Sequence, residues 1–234
     1  MKKKLEDTEN EKKNEIITES YTHSVNGGYF TTKPTVTYTP PSEESTSVQT
    51  VSMDLAGYTQ YTDYCFTVEY FNPIQNKWVV KETSSDFTKT DTILSRSYTD
   101  LDGKFIRVSF YAWYNAKGTS FGEDAVLIYA QPVVAFAGES TSYSNNIYEG
   151  YGGLTIDCDS PCLVQTYCSE QNNGTSVENW ETFCYSSRKV NAKYFTSRGI
   201  YSISESSIEK GSYYVIIAYF SDGTKILTDV RQNK

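Results

Sequence analysis

From Thr46 onward the chain runs in short alternating or aromatic-rich segments, each closed within a strand's length by a turn signal. Asn72-Pro73, Asp102-Gly103, Lys117-Gly118, Asn173-Gly174 and Asp222-Gly223 stand between these segments. No apolar stripe holds the 3.6-residue period of a long amphipathic helix. Asn-Gly and Asp-Gly pairs supply the positive φ that tight hairpin turns require. Asp222-Gly223, set between Tyr213–Phe220 and Lys225–Val230, therefore reads as a hairpin. Predicted strands lie at 48–55, 65–71, 78–83, 105–113 and 125–130. A second series follows at 133–136, 154–157, 163–169, 180–184, 201–204, 213–220 and 225–230. Strand, turn, strand at this spacing predicts an all-β chain of antiparallel sandwiches, with almost no helix after residue 47.

Residues 1–47 have a different character. Their apolar residues are few and scattered, and mixed charges, Ser, Thr, Asn and Pro40-Pro41 surround them. So polar a segment buries too little surface to offset a backbone ordering cost of roughly 1–2 kcal/mol per residue. It is expected to be an extended arm, ordered by a partner. Tyr29-Phe30-Thr31-Thr32 and Thr35-Val36-Thr37-Tyr38 alternate well enough to add as strands to a neighbour's sheet edge. Tyr29, Phe30, Val36 and Tyr38 would seat in its pockets, and Pro34 and Pro40-Pro41 would limit each strand.

The 234 residues suit two modest domains behind such an arm. Gln131-Pro132 marks the expected joint, giving an arm at 1–47, one sandwich at 48–131 and another at 132–234. The two halves resemble each other. Tyr64-Cys65-Phe66-Thr67-Val68-Glu69-Tyr70 leads through a turn to Trp78, and Pro161-Cys162-Leu163-Val164-Gln165-Thr166-Tyr167 leads to Trp180. Later, Asp102-Gly103-Lys104-Phe105-Ile106-Arg107-Val108 has a counterpart in Lys210-Gly211-Ser212-Tyr213-Tyr214-Val215-Ile216. Matching order predicts a duplication in which Trp78 and Trp180 hold equivalent core positions.

On these residues the chain resembles the broad immunoglobulin-like class over about residues 47–234. The first half has only Cys65, so the inter-sheet Cys–Trp–Cys set of antibody domains is missing and packing must hold the sandwich. Together with the polar arm and a start without a leader, it resembles the tandem immunoglobulin-like domains of bacteriophage virion proteins. Lys, Asn, Ile and Tyr usage fits an AT-rich genome. The resemblance implies a non-enzymatic head-fibre, decoration or tail component, made in a host cytoplasm without a signal peptide and located in the virion. Its expected partners are other virion subunits through the arm, further copies of itself, and host surface glycans.

Charge and chemistry narrow the alternatives. A net charge of −8, with Lys2-Lys3-Lys4 neutralised by Glu6, Asp7, Glu9 and Glu11, gives no basic footprint for nucleic acid. No stretch approaches the roughly 20 apolar residues of a membrane span. The one histidine, His23, lies in the arm, away from any rigid nucleophile–base arrangement. Among the carboxylates Asp54, Glu69, Glu82, Asp157 and Glu178, no pair stands out for glycosidase chemistry. Asp157 and Asp159 supply two carboxylates where calcium takes 6–8 oxygens. Gly150-Tyr151-Gly152-Gly153 precedes a strand, so no helix N-terminus is offered to phosphate. No catalytic residue, metal site or cofactor is expected. Five cysteines leave at least one unpaired. Buried thiols are the first reading of Cys158, Cys162, Cys168 and Cys184, with a local disulfide and a metal site as alternatives. The second functional reading is a carbohydrate-binding or adhesin module. Its contacts would be Tyr58, Tyr61 and Tyr64, or Tyr143, Tyr148 and Tyr151.

Overall fold

The computed structural model describes residues 33–55, 63–88, 93–114, 126–140, 145–150, 153–183, 192–203 and 207–234. Among the described residues the first repeat has seven strands: β1 Thr35–Thr39, β2 Val48–Asp54, β3 Asp63–Asn72, β4 Lys77–Thr88, β5 Ile93–Tyr98, β6 Lys104–Tyr114 and β7 Val126–Ala137. A sheet ordered β1-β2-β5 opposes one ordered β4-β3-β6-β7. The second repeat contains β8 Asn146–Gly150, β9 Gly153–Asp157, β10 Cys162–Ser169, helix α1 Val177–Phe183, β11 Ala192–Phe195 and β12 Gly199–Tyr201. It ends with β13 Tyr213–Phe220, β14 Lys225–Leu227 and β15 Arg231–Gln232. Here a sheet ordered β12-β9-β8 opposes β11-β10-β13-β14, with β15 also on β13. In each repeat the first, second and fifth strands face the third, fourth, sixth and seventh. Every pairing is antiparallel. The fold is all-β, two immunoglobulin-like sandwiches of the same strand order.

Strand periodicity stacks the two sandwiches. Side chains alternate across a strand, so β6 sends Ile106, Val108 and Phe110 one way and Phe105 the other. The first group, with Val68, packs on Val51, Met53 and Leu94 to make the core of the first sandwich. Phe105, Phe71 and Val134 instead join Leu163, Tyr167, Val215 and Ile217 of the second repeat. The opposite face of β10 and β13 carries Val164, Ile216, Ala218 and Phe220, packed on Leu154, Ile156 and Tyr201. Four sheets are thus layered, with the two inner ones covered on both faces. This explains the unbroken apolar run of β13, YYVIIAYF, whose last seven residues are all buried. The Asp222-Gly223 hairpin forms as predicted. Gly223 has φ +87°, and Asp222 Oδ1 accepts from the Thr224 amide at 2.9 Å.

The joint and the arm differ from expectation. Residues 133–136 finish β7 rather than opening the second repeat, and the strand runs straight through Gln131-Pro132. Pro132 is tolerated because β7 is an edge strand that pairs on one side only. The first repeat's pairing ends at Ala137 and the second's begins at Asn146. Val36 and Tyr38, expected to reach a neighbour, lie on β1 opposite Val51 and Gln49 of the same chain. Val36 packs against the first core, and Pro34 is buried. The β2 edge is the nearer template, reached across a short loop whose closure entropy is small. Tyr29 and Phe30 lie outside the described residues.

The stretch expected as a strand at 180–184 is instead occupied, through residue 183, by α1. Val177, Trp180 and Glu181 fall on one helical face, and the helix packs against β7 of the first repeat and β10 and β14 of the second. Trp180 is fully buried there, and its Nε1 donates to the Gly174 carbonyl at 2.7 Å. Trp78 lies on β4, half-buried. Both tryptophans therefore line the layer between the sandwiches, but from non-equivalent elements. The duplication lies in the strand order, not in the tryptophans.

Candidate interaction site

The seam between the inner sheets buries a connected set of polar groups, Glu69, Arg107 and Gln165 among them. Glu69 on β3 and Arg107 on β6 are direct register partners, so both point into the seam. Arg107 Nε donates to Glu69 Oε2 at 2.6 Å, with both side chains largely buried. The Arg107 guanidinium lies 4.6 Å from the centre of the Trp78 ring, a cation–π contact. Trp78 Nε1 donates across the seam to Gln165 Oε1 on β10 at 2.7 Å. Aromatic edges close around this set. Phe71 meets Trp78 at 5.5 Å, and Phe105 meets Phe136 at 5.1 Å and Tyr194 at 6.2 Å.

A second polar group stands where α1 covers the seam. The Tyr167 and Tyr219 hydroxyls share a hydrogen bond of 2.5 Å. Tyr219 also hydrogen-bonds Glu181, which accepts from Lys225 Nζ at 2.8 Å. Burial pushes the Glu181 carboxyl above its usual range against the pull of Lys225. Burial likewise drives Tyr219 well above the ordinary phenol, helped by the neighbouring Tyr167 and Glu181. Lys33, just before β1, pairs with Glu178 on the same helix. These groups are held rather than presented. Of these contacts Lys33–Glu178 runs from one repeat to the other, and the rest fix α1 on β10, β13 and β14 with each charge already partnered.

The outermost faces are turned to solvent. On the β1-β2-β5 sheet, Thr35, Ser52 and Ser95 form one row and Thr37, Thr50 and Ser97 the next. Thr35 Oγ1 lies 2.8 Å from Ser52 Oγ, and Thr50 Oγ1 lies 2.9 Å from Ser97 Oγ. On the β12-β9-β8 sheet, Ile200, Thr155 and Tyr148 align in one cross-strand row. Ile200 is 62% and Tyr148 52% exposed. Of the tyrosines singled out for sugar stacking, Tyr148 is therefore accessible. Tyr58, Tyr61, Tyr143 and Tyr151 lie outside the described residues, and of Tyr64 only the backbone, on β3, is described.

Cys158 and Cys162, both thiols, sit in the core of the second sandwich, and Cys168 is half-buried. Among the described residues no cluster of three His, Cys, Asp or Glu side chains can hold a metal. No described helix is long and apolar enough to cross a membrane. His23 and Cys184 fall outside the described residues, as does the Cys65 side chain.

No protein-family model matches this chain. No curated protein matches it either. Among solved structures it is similar to the fibronectin type III domains 1–3 of chicken contactin 1, with a TM-score of 0.26 and 9% identity. That similarity covers 89% of this chain, which spans 65% of the length of the other. What the described residues build is two sandwiches, a closed polar seam and two exposed outer sheet faces.

Proposed function

We propose that this chain is a non-enzymatic structural subunit of a macromolecular assembly, and within that class a phage virion component of the head-fibre, decoration or tail kind. The observation that carries the reading is the seam. Two repeats joined by Trp78–Gln165, Lys33–Glu178 and a shared apolar layer act as one stiff body. Stiffness suits a part that projects from or braces a particle. The attachment segment in this reading is residues 1–32, with Tyr29 and Phe30 its aromatic contacts, and further copies of the chain are its neighbours. Particles purified from the source by density gradient should contain the protein. Removing residues 1–32 should leave the melting transition of the remainder in place while the protein disappears from sedimented particles. Full occupancy by the truncated chain would defeat the reading.

The exposed Tyr148–Thr155–Ile200 row supports a second reading, a glycan-binding module, because an exposed phenol ring offers a face for sugar stacking. Glycan-array binding that Tyr148→Ala removes would favour it. An array with no signal would leave the scaffold reading alone.

A further inference from the structure

The link between β9 and β10, Cys158-Asp159-Ser160-Pro161-Cys162, crosses from the outer to the inner sheet of the second sandwich. Cys158 is 2% exposed and Cys162 fully buried, and both belong to the core between those sheets. The two lie four residues apart in one buried cluster, each sulfur acting on the other's titration. Cys158 Sγ in turn donates to the Ser197 carbonyl at 3.5 Å. The link is pinned at its far end, where the Ser221 amide donates to the Pro161 carbonyl at 3.0 Å. The two thiols are thus neighbours in a loop whose ends are fixed by strands of opposing sheets.

We propose that Cys158 and Cys162 form a dithiol modification site, closed by peroxide to a disulfide that clasps the two sheets of the second sandwich. Cys158 is the attacking sulfur, because it stands on the loop side of the pair and is the less enclosed of the two, 2% exposed against 0% for Cys162. The Cys158 thiolate displaces hydroxide from the peroxide O–O bond and becomes a sulfenic acid. The Cys162 sulfur then attacks the Cys158 sulfur, its proton leaves with the hydroxyl as water, and the S–S bond forms. Two thiols and one peroxide give one disulfide and two waters. Burial, with Asp159 and Asp157 adding to it, pushes the Cys158 thiol up, and burial pushes Cys162 up as well. Few thiolates exist at neutral pH, so the closure is slow and accelerates as pH rises. The flanking carboxylates repel anionic disulfides such as oxidised glutathione, and a small neutral oxidant meets no such barrier. A chain kept reduced in a cytoplasm would acquire the clasp only after leaving it.

The test uses the full reduced chain treated with hydrogen peroxide at neutral and mildly alkaline pH, followed by alkylation and peptide mapping. The peptide carrying Cys158 and Cys162 should lose two hydrogens and escape alkylation, faster at the higher pH and faster than with oxidised glutathione. The oxidised protein should melt about 4–8 °C above the reduced form, the gain a disulfide closing so short a loop gives a chain of this size. Cys158→Ser should abolish the link. If that variant does not fold, the wild-type map and melting shift decide. Cys158 and Cys162 both still alkylatable after treatment, Cys162 linked to Cys168 instead, or Cys158 driven to sulfinic acid without a link would each overturn the proposal.

Discussion

The indole nitrogen of Trp78, on an edge strand of the first repeat, donates to the amide oxygen of Gln165, buried on a central strand of the second. A single bond thereby reports the register of two sandwiches. Trp78→Phe keeps the ring against Phe71 but leaves Gln165 Oε1 without its donor, at an expected cost of about 1–3 kcal/mol. Adding Gln165→Leu should recover part of that loss. Urea denaturation of both single variants and the double variant measures the coupling, and strict additivity would mean the bond contributes nothing.

Arg107 and Glu69 make a sharper case. Removing one partner leaves a charge in the seam, so Arg107→Leu should destabilise by about 3–5 kcal/mol. The pair Arg107→Leu with Glu69→Leu should cost much less than either change alone, because no orphan charge remains. Chemical denaturation midpoints at fixed pH compare the three variants. A double variant as damaged as the sum of its parts would show that packing, not charge satisfaction, dominates.

Ser109 points into the same seam, 1% exposed, with a hydroxyl that has no hydrogen-bond partner. Burying an unpaired hydroxyl costs roughly 1–3 kcal/mol, whereas a methyl there costs nothing in desolvation. Ser109→Ala is therefore expected to hold or raise the melting temperature, unusual for a buried position.

Glu181 sets a pH dependence. Burial raises its folded-state carboxyl above the ordinary glutamate range, Lys225 notwithstanding. A raised carboxyl binds its proton more tightly in the folded state, so its contribution is fully present below pH 4.5 and is lost as pH rises through the folded-state value. Glu181→Gln should flatten the stability profile over that window. Asp100 and Glu178, lowered by Lys81 and Lys33, run the other way, but both are exposed and screened. Melting temperatures of wild type and Glu181→Gln across the acid range would test the sign. A wild-type profile that rises through the window at Glu181's expense would overturn it.

Much of the fold is legible in the sequence because strand periodicity and turn chemistry are local. The matched stretches 64–70 and 161–167 fall on the third strands, β3 and β10, and those beginning near Lys104 and Tyr213 fall on the sixth, β6 and β13. The seam was harder to read. An apolar run says that a strand is covered on both faces, not what covers it, and nothing local pairs Glu69 with Arg107 until the register sets them side by side. The polar composition around Val36 and Tyr38 hid β1, whose outward residues Thr35 and Thr37 join a hydroxyl row rather than a core. Pro132 looked like a joint because nothing local says that its strand is an edge. Helix α1 depends on the burial of Trp180, a tertiary effect invisible to short-range propensity.

The double covering of the inner sheets also orders events in time. A ribosome releases the first repeat before the second exists, and its seam face, with Phe71, Phe105, Val134 and the Arg107–Glu69 pair, then stands in water. Until β10 and β13 arrive, that face is a sticky, half-charged surface awaiting its twin. The nascent chain is most exposed to mispairing with a sister chain in that interval. A slower passage through the second repeat lengthens that exposure.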